Sequence, residues 1–148
     1  MRFLYHIGLK FYAFLIRCAS WFGNQKASLW IEGRQLSKAE KTEFKTLQNG
    51  FLIQCSSLGE YEQGKPLIEA LRQKFPKKPI ILTFFSPSGY EAQKNNSLVD
   101  KVLYLPLDTV KKSREFVELL QPEKAFFIKY DFIIILVNLL ISFLLLQK

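Results

Sequence analysis

The residue best placed for acid–base chemistry in this sequence is Glu60. It ends the polar turn Ser57-Leu58-Gly59-Glu60, which follows the short apolar run 51–55. A glutamate is ionised at neutral pH, so its carboxylate can accept a proton from a hydroxyl group bound beside it. The same spacing is that of a capping box, in which Ser57 and Glu60 satisfy backbone N–H groups at the start of a helix. Spacing alone favours the capping interpretation.

A second polar turn, Ser86-Pro87-Ser88-Gly89, follows the next apolar run. The hydroxyl groups of Ser86 and Ser88 and the backbone N–H of Gly89 could form a modest anion site at a helix start. Ser88 and Glu91 also have the spacing of another capping box, and the two interpretations are equally supported.

Two later turns carry charged residues. Asp108 ends the turn Pro106-Leu107-Asp108 and is expected to be the N-cap of the helix that follows it. Lys129 and Asp131 follow the last apolar run of the strand-like series. They could position a substrate, or they could form a salt bridge on the rim.

The sequence lacks the residues for several other kinds of site. It has one histidine, His6, and two cysteines, Cys18 and Cys55. A His-rich metal centre, a CxxC zinc site, a disulfide framework and a Ser-His-Asp triad are therefore not expected. Neither GxGxxG nor GxxxxGK[ST] occurs, so the usual phosphate cradles are missing. We expect no metal and no cofactor, and we interpret both cysteines as small buried apolar residues.

The positive charge is concentrated at the N-terminal end. The chain carries 21 basic and 13 acidic residues, a net charge of +8. The basic residues of the first 26 positions, where no acid occurs, are Arg2, Lys10, Arg17 and Lys26. On a helix, the first three of these share with His6 one sector of about 80° opposite a broad aromatic and aliphatic face. This pattern predicts a helix over residues 1–22 that lies on an anionic membrane surface. The alternative is a helix docked on its own domain, and no nucleic-acid partner is expected because no basic stripe runs through the middle of the chain.

Four apolar runs alternate with helical segments from residue 51 onward. The runs are 51–55, 79–84, 101–105 and 124–128, and the last helix between them covers about 109–120. This alternation predicts right-handed crossovers and a parallel sheet covered on both faces, a Rossmann-like α/β unit. All the polar turns then fall at the carboxyl edge of the sheet, where open parallel sheets bind their ligands.

The segments that flank this unit differ from it in composition. A connector over 23–50 contains Ser37-Lys38-Ala39-Glu40, with capping-box spacing, and a helix stop at Asn49-Gly50. A tail over 132–148 begins with fifteen residues that carry no charge. As a helix those fifteen residues would reach about 22 Å, short of the roughly 30 Å of a bilayer's hydrocarbon core. The predicted domains are therefore 1–22, 23–50, 51–131 and 132–148.

Several of these motifs, in this order, resemble the N-terminal, acceptor-side domain of 3-deoxy-D-manno-octulosonic acid (Kdo) transferases. The matching segments are Lys26-Ala27, Trp30-Ile31-Glu32-Gly33-Arg34, Ser57-Leu58-Gly59-Glu60, Gln63-Gly64-Lys65-Pro66-Leu67-Ile68-Glu69-Ala70-Leu71, Thr83 with Ser86-Pro87-Ser88-Gly89-Tyr90, Tyr104-Leu105-Pro106-Leu107-Asp108 and Lys129-Tyr130-Asp131-Phe132. The resemblance covers about residues 1–132. It implies the N-terminal half of a GT-B glycosyltransferase, an enzyme that transfers Kdo from CMP-Kdo to a lipid A precursor in lipopolysaccharide synthesis. It also implies a place on the cytoplasmic face of the bacterial inner membrane.

The resemblance also implies residue roles. Glu60 would be the general base that takes the proton from the acceptor hydroxyl, and Gly59 would let the turn approach the acceptor closely, or serve only as a turn residue with positive φ. Together with the turn residues discussed above, the candidate substrate-binding residues are Ser57, Gly59, Ser86, Ser88, Gly89, Lys129 and Asp131. The basic stripe of the N-terminal helix makes Arg2, Lys10 and Arg17 the candidate membrane residues. Two positions depart from the family pattern: Asp131 stands where glutamate is frequent, and Gln54 stands where histidine is common.

The resemblance ends at Phe132, which leads us to expect a truncated or out-of-frame product without the donor domain. Such a chain would be inactive alone, and CMP-Kdo would bind only to the full-length enzyme. One alternative is a non-catalytic α/β module, anchored to the membrane by its apolar ends, that acts as a scaffold or partner. A flavodoxin-like nucleotide-binding protein is a further alternative, weakened by the missing phosphate motifs.

Overall fold

Four short runs rich in aliphatic and aromatic residues form one parallel sheet in the structure, a computed structural model that describes residues 2–34, 42–128 and 134–146. The strands are β1 (Phe51–Cys55), β2 (Ile80–Phe84), β3 (Lys101–Tyr104) and β4 (Lys124–Phe127). They are ordered β3-β2-β1-β4, and every neighbouring pair is parallel. The sequence predicted each strand to within one residue at either end, and the α/β fold with a parallel sheet is confirmed.

The described helices are α1 (Arg2–Trp21), α2 (Gln25–Glu32), a 3-10 turn (Phe44–Leu47), α3 (Leu58–Lys74), α4 (Pro87–Gln93), α5 (Val110–Leu120) and α6 (Ile134–Leu146). The chain divides into two compact units, Met1–Gln35 and Leu36–Lys148. The helix predicted to begin at the Ser37-x-x-Glu40 motif falls largely outside the described residues. Asn49, at the predicted helix stop, has the left-handed φ of 60° that such a stop requires.

Helices cover both faces of the sheet, as the alternation of strands and helices predicts. On one face, Tyr61 and Ile68 of α3 pack with strand residues such as Ile53, Leu82 and Phe84. On the other face, α5, α6 and the 3-10 turn pack against strand residues that point the opposite way. The buried residues of this second layer are Phe44, Leu47, Leu52, Ile81, Leu103, Leu105, Phe116, Val117, Leu120, Leu136 and Leu140. Because both faces are covered, every residue of β1 and of β2 is buried.

The apolar tail contributes one of these covering helices. Leu136 and Leu140 of α6 are buried in the core beside α5, with 1% and 2% of their surface exposed. Ile141 and Leu145 lie on the opposite side of α6 and are exposed. Val137, Leu139 and Phe143 also pack against this core, so the apolar residues of the tail are used for packing on one side of the helix.

An arginine organises the amino edge of the sheet. Arg72, near the end of α3, donates from Nε to the carbonyl of Leu98 at 3.0 Å and from Nη2 to Asp100 at 2.6 Å. The same Asp100 oxygen accepts the backbone N–H of Ile80 at 2.7 Å. The end of α3 is thereby joined to the residues that lead into β2 and β3.

The N-terminal unit is a helical hairpin. α1 and α2 are joined by a turn in which Gly23 has φ of +83° and Asn24 is the N-cap of α2, accepting the N–H of Ala27 at 3.1 Å. The predicted helix over 1–22 is confirmed. Cys55 is buried as predicted, whereas Cys18 is partly exposed on α1, so its interpretation as a buried residue is wrong. Across the described ranges, every helix falls short of the length and apolarity needed to cross a membrane.

Candidate functional site

The strand order places a topological switch point between β1 and β4. From β1 the chain moves outward to β2 and then β3, and it returns to place β4 on the other side of β1. The helix after β1, α3, covers one face of the sheet, and the helix after β4, α6, covers the other face. The two connections therefore separate at the carboxyl ends of β1 and β4, which opens the kind of crevice where such sheets bind ligands. Glu60 lies in the first turn of α3, at this crevice.

The capping box predicted at Ser57 and Glu60 is formed only in part, because the carboxylate of Glu60 binds the N–H of Ser56, one residue before the N-cap. Ser57 is the N-cap of α3, and its Oγ accepts the backbone N–H of Glu60 at 3.4 Å. The Oε2 atom of Glu60 accepts a short hydrogen bond from the backbone N–H of Ser56. The other carboxylate oxygen, Oε1, has no hydrogen-bond partner among the described residues. One oxygen thus fixes the side chain, and no side chain or backbone group of the described residues engages the second.

Gly59 occupies an open position beside this carboxylate. It is exposed, and a Cβ atom placed on it would meet nothing within 4 Å. Gly23 is the glycine with positive φ in the described part of the chain, so the interpretation of Gly59 as a positive-φ turn residue is wrong. The space above Gly59 is compatible with a ligand that approaches Glu60 closely.

One helical turn after Glu60, Gly64 brings α3 against the end of β4. A Cβ atom on Gly64 would lie 2.8 Å from Cδ1 of Ile128, the residue that follows β4. Glu60 and Gly64 are four residues apart and share one face of the helix. Glu60 therefore faces the point where the chain leaves β4. Lys129 and Asp131, predicted to contribute to the site, come next in sequence and lie outside the described residues.

The second polar turn is organised around Ser86. Ser86 is the N-cap of α4, and its Oγ accepts the N–H of Gly89 at 3.3 Å and lies 2.8 Å from Oγ of Ser88. The N–H of Gly89 is therefore already bound within the turn, and Gly89 itself is buried against the ring of Phe84. The backbone N–H of Ser86 donates to the carbonyl of Ser56 at 3.0 Å, which joins this turn to the one that carries Glu60.

The capping box predicted at Ser88 and Glu91 is wrong, because Ser86 caps the helix instead. Glu91 accepts a hydrogen bond from Nζ of Lys94 at 2.7 Å on the exposed surface. This hydrogen bond and the charge of Glu91 raise the pKa of Lys94 above its ordinary value of 10.5.

Asp108 caps a helix other than the predicted one. The N-cap of α5 is Thr109, whose Oγ1 accepts the N–H of Lys112 at 3.4 Å. The buried carboxylate of Asp108 instead accepts the backbone N–H groups of Ile135 and Leu136, at 3.0 and 2.8 Å. The prediction that Asp108 starts α5 is therefore wrong, since the more distant α6 competes for the same carboxylate.

A buried polar pair joins β1 and β2 near their carboxyl ends. Gln54 and Thr83 are register partners on β1 and β2, and both are buried. The Thr83 hydroxyl donates to Oε1 of Gln54 and lies 3.2 Å from the carbonyl of Ile53. Sequence reasoning did not identify this pair, although a polar residue occupies the fourth position of both strands. No cluster of metal-ligating side chains occurs in the described residues.

Comparison with known proteins supports the resemblance found in the sequence. The family model described as 3-deoxy-D-manno-octulosonic-acid transferase (kdotransferase) matches residues 29–139, which extends the match into α6, past Phe132. A 3-deoxy-D-manno-octulosonic acid transferase of Haemophilus influenzae is 36% identical over 76 residues. That alignment covers 50% of this chain and 18% of the Haemophilus protein, so the chain spans only a small part of its curated relative. Because the family model matches well over half of the 148 residues, the chain belongs to the Kdo transferase family.

Proposed function

We propose that this chain is the acceptor-side part of an enzyme that transfers Kdo from CMP-Kdo to a lipid A precursor, with Glu60 as the general base. The observation that carries the proposal is the placement of Glu60. It stands at the switch point of a parallel sheet, with one carboxylate oxygen held by the N–H of Ser56 and the other without a hydrogen-bond partner in the described part of the chain. Open space over Gly59 gives a substrate access to that second oxygen.

In the proposed reaction, a hydroxyl oxygen of the acceptor attacks the anomeric carbon of Kdo. The bond from that carbon to the phosphate oxygen of CMP breaks, and its electron pair leaves with CMP. The hydroxyl proton moves to Oε1 of Glu60. Because Oε2 is held by a backbone N–H, the carboxylate keeps its orientation while the proton is transferred, as a general base must.

The capping interpretation of Glu60 and the catalytic one are compatible. The first concerns Oε2 and the second concerns Oε1, so one side chain can do both. Two substitutions separate them. Glu60→Gln keeps a carbonyl oxygen that can accept the Ser56 N–H but is far too weak a base, whereas Glu60→Ala removes both functions.

The test supplies the donor half of the Haemophilus relative to the purified full chain, together with CMP-Kdo and lipid A precursor. We expect no turnover by the chain alone, turnover with the donor half, and a rate lowered by about 10²-fold or more in Glu60→Gln. Glu91→Gln, which changes a partly exposed acid on α4, is the matched control and should keep the native rate. Equal rates for Glu60→Gln and the native chain would remove the proton-accepting role from Glu60. No turnover even with the donor half would leave the non-catalytic scaffold as the better proposal.

We also propose that the N-terminal unit holds the protein on the cytoplasmic face of the bacterial inner membrane. Lys10 and Arg17 are exposed on α1, as the basic stripe requires. The side chains of Arg2 and His6 lie outside the described part. Flotation of the chain with anionic vesicles should fall as salt is raised, and also when Arg2, Lys10 and Arg17 are changed to Glu. Flotation that is insensitive to both changes would contradict a role for the basic residues.

A further inference from the structure

Two aromatic side chains stand out at the tip of the α1–α2 hairpin. Trp21 is 87% exposed and Phe22 is 84% exposed, and these are the most exposed large apolar side chains in the described part of the chain. Their ring centroids lie 5.8 Å apart. Two adjacent rings with this exposure present a large apolar surface to the solvent.

The turn behind these rings is well defined. Gly23 takes a left-handed conformation, and its N–H donates to the carbonyl of Ser20 at 3.0 Å. The N–H of Asn24 donates to the carbonyl of Ala19 at 3.0 Å, and the Asn24 side chain caps α2. The tip is therefore fixed by hydrogen bonds, and the rings are presented without a large further loss of conformational entropy.

α2 covers one side of α1. Ser20 and Ser28 are joined through their hydroxyl oxygens at 2.8 Å, and the rings of Tyr12 and Trp30 meet edge to face at 5.9 Å. Arg34 extends this contact, because its guanidinium lies 3.9 Å from the centre of the Trp30 ring. The hairpin is thus closed along this side.

The opposite side of α1 carries an exposed apolar stripe that ends at the tip. Its members are Leu4, Ile7, Phe11, Phe14, Leu15 and Trp21, and they fall within a sector of about 120° on the helix. The exposed basic side chains of Lys10 and Arg17 border this stripe. Before Glu32, this unit has no acidic residue to balance them.

From this arrangement we infer that the Trp21–Phe22 tip inserts into the boundary between headgroups and acyl chains of an anionic bilayer. The inference rests on the membrane placement proposed above and adds the group that enters the lipid. Aromatic residues are enriched at this depth of the bilayer, and lysine and arginine side chains beside them reach the headgroups. Basic side chains along one edge of an apolar stripe fit an anionic lipid surface by charge. The basic residues orient the hairpin, and the two rings supply the contact that salt does not weaken.

The experiment measures partition of the full chain onto vesicles of phosphatidylethanolamine and phosphatidylglycerol at low and high salt. We expect Trp21→Ser/Phe22→Ser to lower the partition coefficient by roughly tenfold or more at both salt concentrations. Lys10→Glu/Arg17→Glu should lower it at low salt and have little effect at high salt. The matched control is Ile141→Ser/Leu145→Ser, which also removes two exposed apolar side chains, but from α6, and should leave partition unchanged.

A second measurement follows the depth of Trp21 directly. The sequence has two tryptophans, so Trp30→Phe leaves Trp21 as the sole tryptophan fluorophore. On vesicles, its emission should shift to shorter wavelength and be quenched by lipids brominated near the headgroup end of the chains. Circular dichroism establishes that this variant keeps its helices.

Partition of Trp21→Ser/Phe22→Ser within twofold of the native value would overturn the inference while leaving the membrane placement intact. An unchanged Trp21 emission on vesicles that do bind the chain would overturn it equally. If the native chain does not bind vesicles of any composition tested, both this inference and the proposed membrane placement are wrong. The reaction assigned to Glu60 is tested separately. Loss of a dimer in Trp21→Ser/Phe22→Ser, with partition unchanged, would assign the tip to self-association instead.

Discussion

The carboxylate of Asp108 accepts the backbone N–H of Leu136 at 2.8 Å, across 28 residues of sequence. The same side chain accepts the N–H of Ile135 and the hydroxyl of Ser113, at 3.0 and 3.1 Å. A single buried acid therefore joins the first turns of α5 and α6. These helices pack side by side on one face of the sheet, so Asp108 fixes where the helix after β4 begins.

Replacing Asp108 should loosen α6 selectively. Asp108→Ala leaves two backbone N–H groups and one hydroxyl in a buried place without their acceptor, and we expect the free energy of unfolding to fall by about 2–3 kcal/mol. Urea denaturation measures the loss, and hydrogen exchange should become faster in α6 than in α3. Thr109→Ala removes only the N-cap of α5 and should cost about 1 kcal/mol. If both variants lose the same stability, Asp108 does not hold α6.

The contribution of Glu60 to stability can be measured separately from its proposed catalytic role, because unfolding experiments need only this chain and not the donor half. Glu60→Ala removes the acceptor of the Ser56 N–H and should lower the free energy of unfolding by about 1 kcal/mol. Glu60→Gln keeps an acceptor oxygen and should lose less than half of that. Thermal and urea unfolding of the two variants decide the point. Equal stability of Glu60→Ala and the native chain would mean that the Ser56 contact contributes nothing measurable.

The sheet could be predicted from sequence because its signals are local. A run such as Phe51–Cys55 is followed by polar turn residues, which mark where the strand ends. Because the strand is buried on both faces, its residues form a continuous apolar run that is easy to recognise in the sequence. The position of Glu60 at the carboxyl edge follows from the same alternation of strands and helices. The family resemblance then gave it a role that spacing alone did not favour.

The caps could not be assigned in the same way. Asp108 and Thr109 are adjacent and are both good N-cap residues, and the competitor that takes Asp108 is a helix far along the chain. Ser86 and Ser88 present the same problem within one turn, since both are good N-cap residues and the structure uses Ser86. Tertiary packing decides between locally equivalent capping residues.

Arg72 should not be replaceable by lysine. Its guanidinium reaches Leu98, Asp100 and two further carbonyl groups at once, which the single ammonium of lysine cannot do. We expect Arg72→Lys to lower the free energy of unfolding by about 1–2 kcal/mol in urea titrations. A loss below that seen for conservative surface changes would contradict a joining role for this side chain.

Lys94→Gln is the matched control for Arg72→Lys, since the ion pair of Lys94 with Glu91 is exposed. The raised pKa of Lys94 means that any stabilisation from this pair is fully present at neutral pH. It is lost only as the pH rises through the raised value, above 10.5. Lys94→Gln should therefore leave unfolding at pH 7 nearly unchanged and show no trend between pH 6 and pH 9.

Two glycines at the carboxyl edge should respond oppositely to alanine. The methyl group of Gly89→Ala would collide with the ring of Phe84, which is itself fully buried and has no room to move, so we expect a loss of about 1–3 kcal/mol. The methyl group of Gly59→Ala would enter open space on a helical residue, and there the greater helix propensity of alanine should stabilise the chain by up to about 1 kcal/mol. Phe84→Leu makes room beside Gly89, so the double variant Gly89→Ala/Phe84→Leu should lose less than the sum of the single losses. Urea unfolding of the four variants measures these differences, and additive losses at Gly89 and Phe84 would show that the ring does not limit the size of residue 89. Because Gly59→Ala folds well by this argument, it can then report on acceptor binding. Weaker binding in a fully stable variant would place the substrate over the start of α3, beside Oε1 of Glu60.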